Sequence, residues 1–338
     1  MIELAIREAM EYHDLSYDTA AQSMREIMNG SATQVQIAAF LTALRMKGEG
    51  ISEITACAAV LRECCTLLRH DEDVCEIVGT GGDHAGTFNV STVSAFVIAA
   101  AGVPVAKHGN RSVSSKCGAA DVLEALGVNI ELTAEQSERV LKKTGMCFMF
   151  APLYHASMKY AAPVRRELGV RTIFNLIGPL ANPAGAKIQL LGVCHKNLIK
   201  PFAAALAGLG VKRAMVVCGE DGLDEITVTA TTQACEVNNG ALHHCSIDPC
   251  AYGIPLCQSG ELTGGDAEKN AQIARAVLGG KKDAKRDIVL LNAAACLYMA
   301  GRADSMENGV LLAAKTIDSG AAYQKMEAFM RATNEAAK

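Results

Sequence analysis

The chain has 338 residues, half of them hydrophobic, 20% charged and 4% aromatic, with no Trp and a formal net charge of −4. That length suits about two domains of ~150 residues. The composition implies a core of Ala, Leu, Val and Ile and argues against a general nucleic-acid surface, and no apolar run reaches the ~20 residues of a membrane-spanning helix. The thirteen cysteines include no Cys-x-x-Cys pair, and several (Cys57, Cys147, Cys194, Cys218, Cys296) sit in apolar runs. With no signal-peptide pattern at the start, they read as small hydrophobes kept reduced in a cytoplasm.

Residues 1–66 read as helices throughout. Ser31 with Gln34 makes a capping-box pattern, after which Val35, Ala38, Ala39, Leu41, Leu44 and Met46 recur at helical spacing. From about residue 74 the period changes. A strand at 75–78, a loop at 79–90, a helix at about 91–101, a strand at 103–106, a loop at 107–115 and a helix at about 116–126 form a βαβα run with a parallel crossover. Residues 133–144 look helical. The stretch 152–187 is punctuated by Ala151-Pro152, Ala162-Pro163, Gly178-Pro179 and Asn182-Pro183, which suits a crossing between domains. Strands are expected again at Ile188–Cys194, Ala214–Cys218, Glu225–Ala230 and Ala234–Val237, then helices at about 287–300, 308–317 and 321–332. His243-His244-Cys245 with Cys250 lacks regular zinc spacing and reads as a strand followed by a turn at Asp248-Pro249.

Two polar clusters stand behind apolar strands. Gly79-Thr80-Gly81-Gly82-Asp83, followed by Thr87 and Asn89-Val90-Ser91-Thr92, lacks the Lys-Ser/Thr of a P-loop, and His84 stands where a dinucleotide fingerprint needs its third glycine. The loop alone is as good a tight turn as a ligand site; Asn89, Ser91 and Thr92 at the next helix start shift it toward anion binding. The run Lys107-His108-Gly109-Asn110-Arg111-Ser112-Val113-Ser114-Ser115 packs cations, an amide and three hydroxyls together. One serine is expected to cap the following helix. Loops at the carboxyl ends of adjacent parallel strands are where open α/β sheets bind ligands, so both clusters point to a phosphorylated substrate. Adjacent carboxylates in Gly219-Glu220-Asp221-Gly222-Leu223-Asp224-Glu225 suit Mg²⁺ beside such a substrate, although acidic turns in solvent are commoner.

These motifs, with Arg165 ahead of Gly178-Pro179-Leu180-Ala181-Asn182-Pro183, resemble those of the anthranilate phosphoribosyltransferase family in the same order along nearly the whole chain. The resemblance implies an α/β fold of the nucleoside phosphorylase/phosphoribosyltransferase type. In it, a small helical domain (1–70, with an excursion near 155–190) is hinged to a larger α/β domain (71–154 and 191–338) with a mostly parallel central sheet. It implies Mg²⁺-dependent transfer of phosphoribose from phosphoribosyl diphosphate (PRPP) to the amine of anthranilate, in tryptophan biosynthesis, by a cytoplasmic homodimer paired through its helical domains. PRPP would be held by Gly79, Gly82, Asp83, Thr87, Asn89, Val90, Ser91, Thr92, the 107–115 loop and the position of Ala119, where the family often has Ser and a backbone N–H would have to serve. Asn110 and Arg165 would bind anthranilate, with Gly79, His108, His155 and Pro179 along its path. Ser91 would ligate one Mg²⁺ and Asp224 with Glu225 a second. An aromatic amine conjugated with a carboxylate is a poor nucleophile, so departure of the diphosphate should lead and electrostatic stabilisation should dominate, with no strong general base in view.

Two alternatives differ in what they need. Pyrimidine nucleoside phosphorylase would carry a Lys-His-Ser lead into its glycine loop, where this chain has Glu76-Ile77-Val78, and has no use for carboxylates at 224–225. A non-catalytic nucleic-acid-binding relative would need a basic groove that a net charge of −4 does not promise.

Overall fold

The computed structural model describes residues 1–112 and 116–338. Four helices open the chain: α1 (Ile2–Met10), α2 (Tyr17–Met28), α3 (Gln34–Lys47) and α4 (Ile51–Glu63). Their starts are set by side-chain caps. Ser16 Oγ accepts the Thr19 N–H at 3.1 Å, and Thr33 and Gln36 exchange reciprocal bonds at 3.2 and 2.9 Å. That capping box lies two residues beyond the expected Ser31/Gln34 pair, because Asn29 Oδ1 accepts the Ser31 N–H at 2.9 Å and keeps 29–31 in a turn. On α3, Ile37, Phe40, Leu41 and Leu44 are buried, whereas Val35 and Met46 of the expected apolar face are exposed.

The α/β part follows: β1 (Cys75–Gly79), α5 (Val90–Ala100), β2 (Val105–Gly109), α6 (Ala119–Ala125), α7 (Ala134–Thr144) and β3 (Met146–Phe150). β2 begins and ends later than expected, so Lys107, His108 and Gly109 belong to the strand and only Asn110 onward to the loop. The punctuated stretch holds three short helices, α8 (Ala151–Tyr154), α9 (Ala162–Leu168) and α10 (Phe174–Ile177). α9 packs on α3 and α10 on α4. Then come β4 (Ile188–Gly192), α11 (Ile199–Gly208), β5 (Arg213–Gly219), β6 (Thr232–Asn238), β7 (Ala241–Ile247), α12 (Ala267–Leu278), α13 (Ala284–Met299), α14 (Met306–Asp318) and α15 (Ala321–Ala336).

The seven strands lie in the order β3-β2-β1-β4-β5-β6-β7. β1 to β5 are parallel, and β6 and β7 run antiparallel at one edge. One face of the sheet packs against Val93, Phe96 and Val97 of α5 and Ile288, Leu291 and Ala295 of α13. On the other face, Leu191 and Val216 share a core with Phe202 of α11, Ala58 and Leu61 of α4, and Ile173 and Leu180 of the excursion. The helical part is thus continuous with one layer of the α/β part.

The expected strand Glu225–Ala230 does not form. The Ile226 N–H and C=O are taken by the Asn292 side chain at 3.0 and 2.8 Å, and the Thr227 N–H by Thr232 Oγ1 at 3.0 Å, so no ladder partner is left for them. Twelve of the thirteen cysteines, Cys117 set aside, are free thiols. Among the described residues, no helix is long and apolar enough to cross a membrane.

Candidate active site

From β1 the chain steps to β2 and β3 on one side, and β4 and β5 are added on the other. Strand order therefore reverses between β1 and β4, which makes the carboxyl ends of those two strands the natural crevice. Gly79 closes β1 and Gly192 closes β4, and the Thr80 N–H donates to the Gly192 carbonyl at 2.9 Å. Asp224 is laid into this crevice. A Cβ on Gly79 would collide with its carboxylate, and one on Gly192 with its carbonyl. The glycines are there to admit Asp224. Gly81 (φ +67°) and Gly82 (φ +83°) then turn the loop so that the Gly81 N–H donates to Asp224 Oδ2 at 2.6 Å.

Asp224 and Glu225 are both buried. Burial, with Asp83 adding like charge, pushes Asp224 up to about 7. Burial and then Asp224 itself hold Glu225 well above the ordinary carboxylate range. Glu225 Oε1 accepts the Ser91 N–H at 3.2 Å, at the first turn of α5. Ser91 Oγ in turn accepts from Lys107 Nζ at 3.3 Å. Lys107 also donates to the Ile77 carbonyl at 2.6 Å and is 1% exposed. Expected as a loop cation for phosphate, it is instead a strand residue beneath the site. Burial lowers its pKa, against the pull of Glu76 and Glu225.

The other expected PRPP residues gather round the same crevice. Asn89 precedes α5 and ties the two loops together: its amide donates to the Cys117 carbonyl at 3.1 Å and its Oδ1 accepts from Asn270 at 2.9 Å. Thr87 bridges to Thr263, Val90 is core, and the buried Thr92 Oγ1 has no hydrogen-bond partner among the described residues. Asp83 Oδ1 accepts the Ala85 N–H at 3.2 Å. At Gly109, a Cβ would press on the Phe148 ring at 2.9 Å. Arg111, expected to meet phosphate, is ion-paired with Asp121 at 3.2 Å and with Glu124. No serine caps α6. Gly118 does, with Asp121 Oδ2 accepting both the Gly118 N–H at 2.8 Å and the Ser112 N–H at 3.0 Å. Ala119 is the first residue of α6. Val113, Ser114 and Ser115 lie outside the described residues.

The expected anthranilate residues form a second group. His108 and His155 are buried with ring centroids 5.0 Å apart. Burial pushes His108 down to about 3, helped by His155 and Lys107, and His155 to about 4 against a backbone hydrogen bond at Ala181. Both imidazoles are therefore neutral at pH 7. Arg165, on α9, lies over the Phe174 ring at 5.1 Å, and burial alone lowers its pKa. Asn110, exposed at the end of β2, accepts its neighbour Arg111's N–H at 2.8 Å. The Pro179 carbonyl accepts from Gln189 at 2.7 Å.

Sequence reasoning missed Glu76 and Asn182 as a pair. Glu76, buried in β1, accepts the His108 N–H at 3.1 and 3.2 Å through its two oxygens and also takes the Asn182 amide. Asn182 donates on to the Ala106 carbonyl at 2.9 Å. Burial lifts Glu76 to about 8, opposed by Lys107 and Asn182. The pair ties the end of the excursion to β1 and β2. A charged residue inside an otherwise apolar strand is the signal that could have found it.

Among the described residues, no three His, Cys, Asp or Glu side chains converge closely enough to hold a metal alone. His243, His244 and Cys245 lie in β7, and Cys250 in the turn beyond it, as the strand-and-turn reading expects.

The pattern described as "Glycosyl transferase family, helical bundle domain" matches residues 4–65, and that described as "Glycosyl transferase family, a/b domain" matches residues 71–323. Fold and site thus define a two-part glycosyl transferase. An anthranilate phosphoribosyltransferase from Ruminiclostridium cellulolyticum is 59% identical, covering 99% of this chain and 98% of its own. The crystal structure of one from Thermus thermophilus superposes with a TM-score of 0.91 at 42% identity, over 98% of this chain and 99% of that one. One from Saccharomyces cerevisiae, in complex with PRPP and Mg, has a TM-score of 0.90 at 25% identity, over 99% and 98%. The chain belongs to the anthranilate phosphoribosyltransferase family.

Proposed function

We propose that this chain transfers the phosphoribosyl group of PRPP to the amine of anthranilate, releasing diphosphate, with Mg²⁺ as cofactor. The observation that carries the reading is the meeting of the glycine loop, the start of α5 and the Asp224-Glu225 pair at the β1/β4 switch point. The amine nitrogen forms a bond to the anomeric carbon as the carbon–oxygen bond to diphosphate breaks. The electron pair leaves with diphosphate and the amine loses a proton.

The donor set fits Mg²⁺. Two adjacent buried carboxylates, Asp224 raised by burial and by Asp83, and Glu225 raised by burial and by Asp224, are relieved by a cation. Among the described residues the protein ligands are too few for a closed site, which leaves room for substrate oxygens and water, as that ion prefers. In this reading, Asp224 and Glu225 hold one ion and Ser91 a second. When bound, Mg²⁺ supplies positive charge against the departing diphosphate.

The chain's own residues bind and orient. The turn at Gly81 and Gly82 and the residues from Asn89 to Thr92 present N–H and hydroxyl groups to the phosphates. Arg165 faces the anthranilate carboxylate with a planar fork, and Asn110 meets its amine or carboxylate. Neutral His108 and His155 give that pocket shape without adding charge. The division into a helical domain (1–70 with 155–190) and an α/β domain (71–154 and 191–338) belongs to this proposal, supported by the packing of α9 on α3 and α10 on α4. So do a cytoplasmic location and a homodimer, the dimer supported by exposed Leu4, Val35 and Met46 on α1 and α3.

The test is the decay of anthranilate fluorescence with PRPP, with and without Mg²⁺, and isolation of the phosphoribosylated product. Decay that requires both PRPP and metal supports the reading. No product at any Mg²⁺ concentration, with phosphate-dependent release of a pyrimidine from its nucleoside, would replace it with a phosphorylase.

A further inference from the structure

We propose that Arg171 is a further PRPP-binding residue, a cation that the 155–190 segment lays over the β1/β4 crevice to meet a phosphate group held by the glycine loop. The inference rests on the substrate reading above and deepens it.

Local structure fixes where Arg171 points. Gly169, in left-handed conformation (φ +62°), ends α9 and turns the chain. Two residues beyond Arg171, α10 is about to begin, and the Thr172 N–H donates to Asn175 Oδ1 at 3.0 Å. Between these two anchors the Arg171 side chain crosses from the excursion to the strand ends. Its Nη1 donates to Cys194 Sγ, just past β4, at 3.8 Å. At the same time it lies against the bare Cα of Gly82, where any Cβ would run into it. The guanidinium therefore spans the ends of the two strands that flank the switch point, next to the loop whose turn is shaped for polyphosphate.

The arginines of this protein divide into those that meet a carboxylate and those that do not. Arg25, Arg111, Arg213 and Arg286 each reach a carboxylate within 3.2 Å. Among the described residues Arg171 pairs with none, and a thiol sulfur is a weak acceptor for a group with five N–H donors. A half-buried guanidinium held over a crevice without a counter-charge is suited to an anion that arrives from outside. Arg165, six residues earlier, is likewise without an ion pair but lies over the Phe174 ring instead. The same segment thus offers two forks, one beside an aromatic wall and one beside the glycine loop. The substrates offer two anions, an aromatic carboxylate and a polyphosphate. The excursion is the part of the molecule that packs on α3 and α4, so a phosphate bound to Arg171 would tie the helical part to the loop at β1.

The experiment compares wild type, Arg171→Gln and Arg171→Lys by titration calorimetry with PRPP and Mg²⁺ in the absence of anthranilate. Ligand-free melting and separate KM values for the two substrates are measured alongside. Arg171→Gln should weaken PRPP roughly ten- to hundredfold, the size of one lost charge-assisted bond. It should leave the ligand-free Tm within about 2 °C and the KM for anthranilate nearly unchanged, and Arg171→Lys should recover part of the affinity. Unchanged PRPP affinity in Arg171→Gln would overturn the inference. So would equal losses for both substrates together with a lower ligand-free Tm, which would mark Arg171 as scaffold. Wild-type protein that takes up no PRPP would overturn the parent reading and this one with it, whereas wild type that binds PRPP no better than the Gln variant sinks this one alone.

Discussion

Two regions of the sheet carry the residue types from which sites are built, and only one of them has the physics of a site. At the β6–β7 edge, His243, His244 and Cys245 follow one another along the last strand, opposite Glu236, Cys235 and Ala234. All three are exposed to water. At the β1/β4 crevice Lys107, Asp224 and Glu225 are buried, as are His108 and His155 in the second group, and every one of them has its pKa moved by that burial. Water screens charge at the edge and leaves it strong in the crevice. Placement, more than residue type, separates a functional site from a decorated strand.

Substitutions put this contrast to the test. The largest effect is expected from Lys107→Ala, which leaves Glu76 and Glu225 without the cation buried between them. It should cost about 3–5 kcal/mol of stability, read from the urea midpoint; a loss confined to the KM for PRPP would return Lys107 to the role of a surface phosphate ligand. Next, Asp224→Asn with Glu225→Gln should lower kcat on the order of 10²-fold or more. Its ligand-free Tm should be at or above that of wild type, because two buried acids that repel each other become neutral. Near-normal turnover with unchanged Mg²⁺ dependence would remove the pair from the site.

Arg165→Ala should weaken anthranilate by roughly 1.5–3 kcal/mol and spare PRPP. A rise only in the KM for PRPP would place the aromatic substrate elsewhere. Smaller still is a pH effect. His108 and His155 are held at about 3 and about 4, below their ordinary 6.5, so between those values the unfolded chain binds protons that the native one does not. Their stabilising contribution is complete above about pH 6.5 and is lost as the pH falls toward 4, by roughly 1–2 kcal/mol each between pH 7 and 5. Urea midpoints of wild type and His155→Gln at the two pH values measure it, and equal slopes would contradict it. Least of all, His243→Ala with Cys245→Ser at the edge should leave both turnover and stability within about 0.5 kcal/mol.

The sequence was most legible where chemistry and backbone demand coincide. Gly79 through Asp83 was legible as a ligand loop because Asn89, Ser91 and Thr92 follow at the next helix start, and the structure gives the reason for its first glycine in the collision of any Cβ at Gly79 with Asp224. Adjacent parallel strands with loops at their carboxyl ends followed from the alternation of apolar runs and helical periods. β3 was missed because Met146–Phe150 is wholly apolar and follows α7 after the single left-handed Gly145, with no period of its own to read. The strand expected at Glu225–Ala230 failed for the opposite reason. Its alternation is genuine, but the Asn292 side chain, 66 residues away, satisfies the backbone there. Glu76 with Asn182, and Arg171 with Gly82, are contacts across 106 and 89 positions of sequence; a charge inside an apolar strand marks Glu76, but no local pattern names the partner in either contact.

The most direct test of the contrast between crevice and edge is anomalous diffraction from crystals of the wild-type protein grown with PRPP and soaked in Mn²⁺ as a stand-in for Mg²⁺. Metal peaks are expected beside the Asp224 and Glu225 carboxylates or Ser91 Oγ, with phosphate density over the glycine loop. Peaks at His243 and Cys245, with none in the crevice, would contradict it.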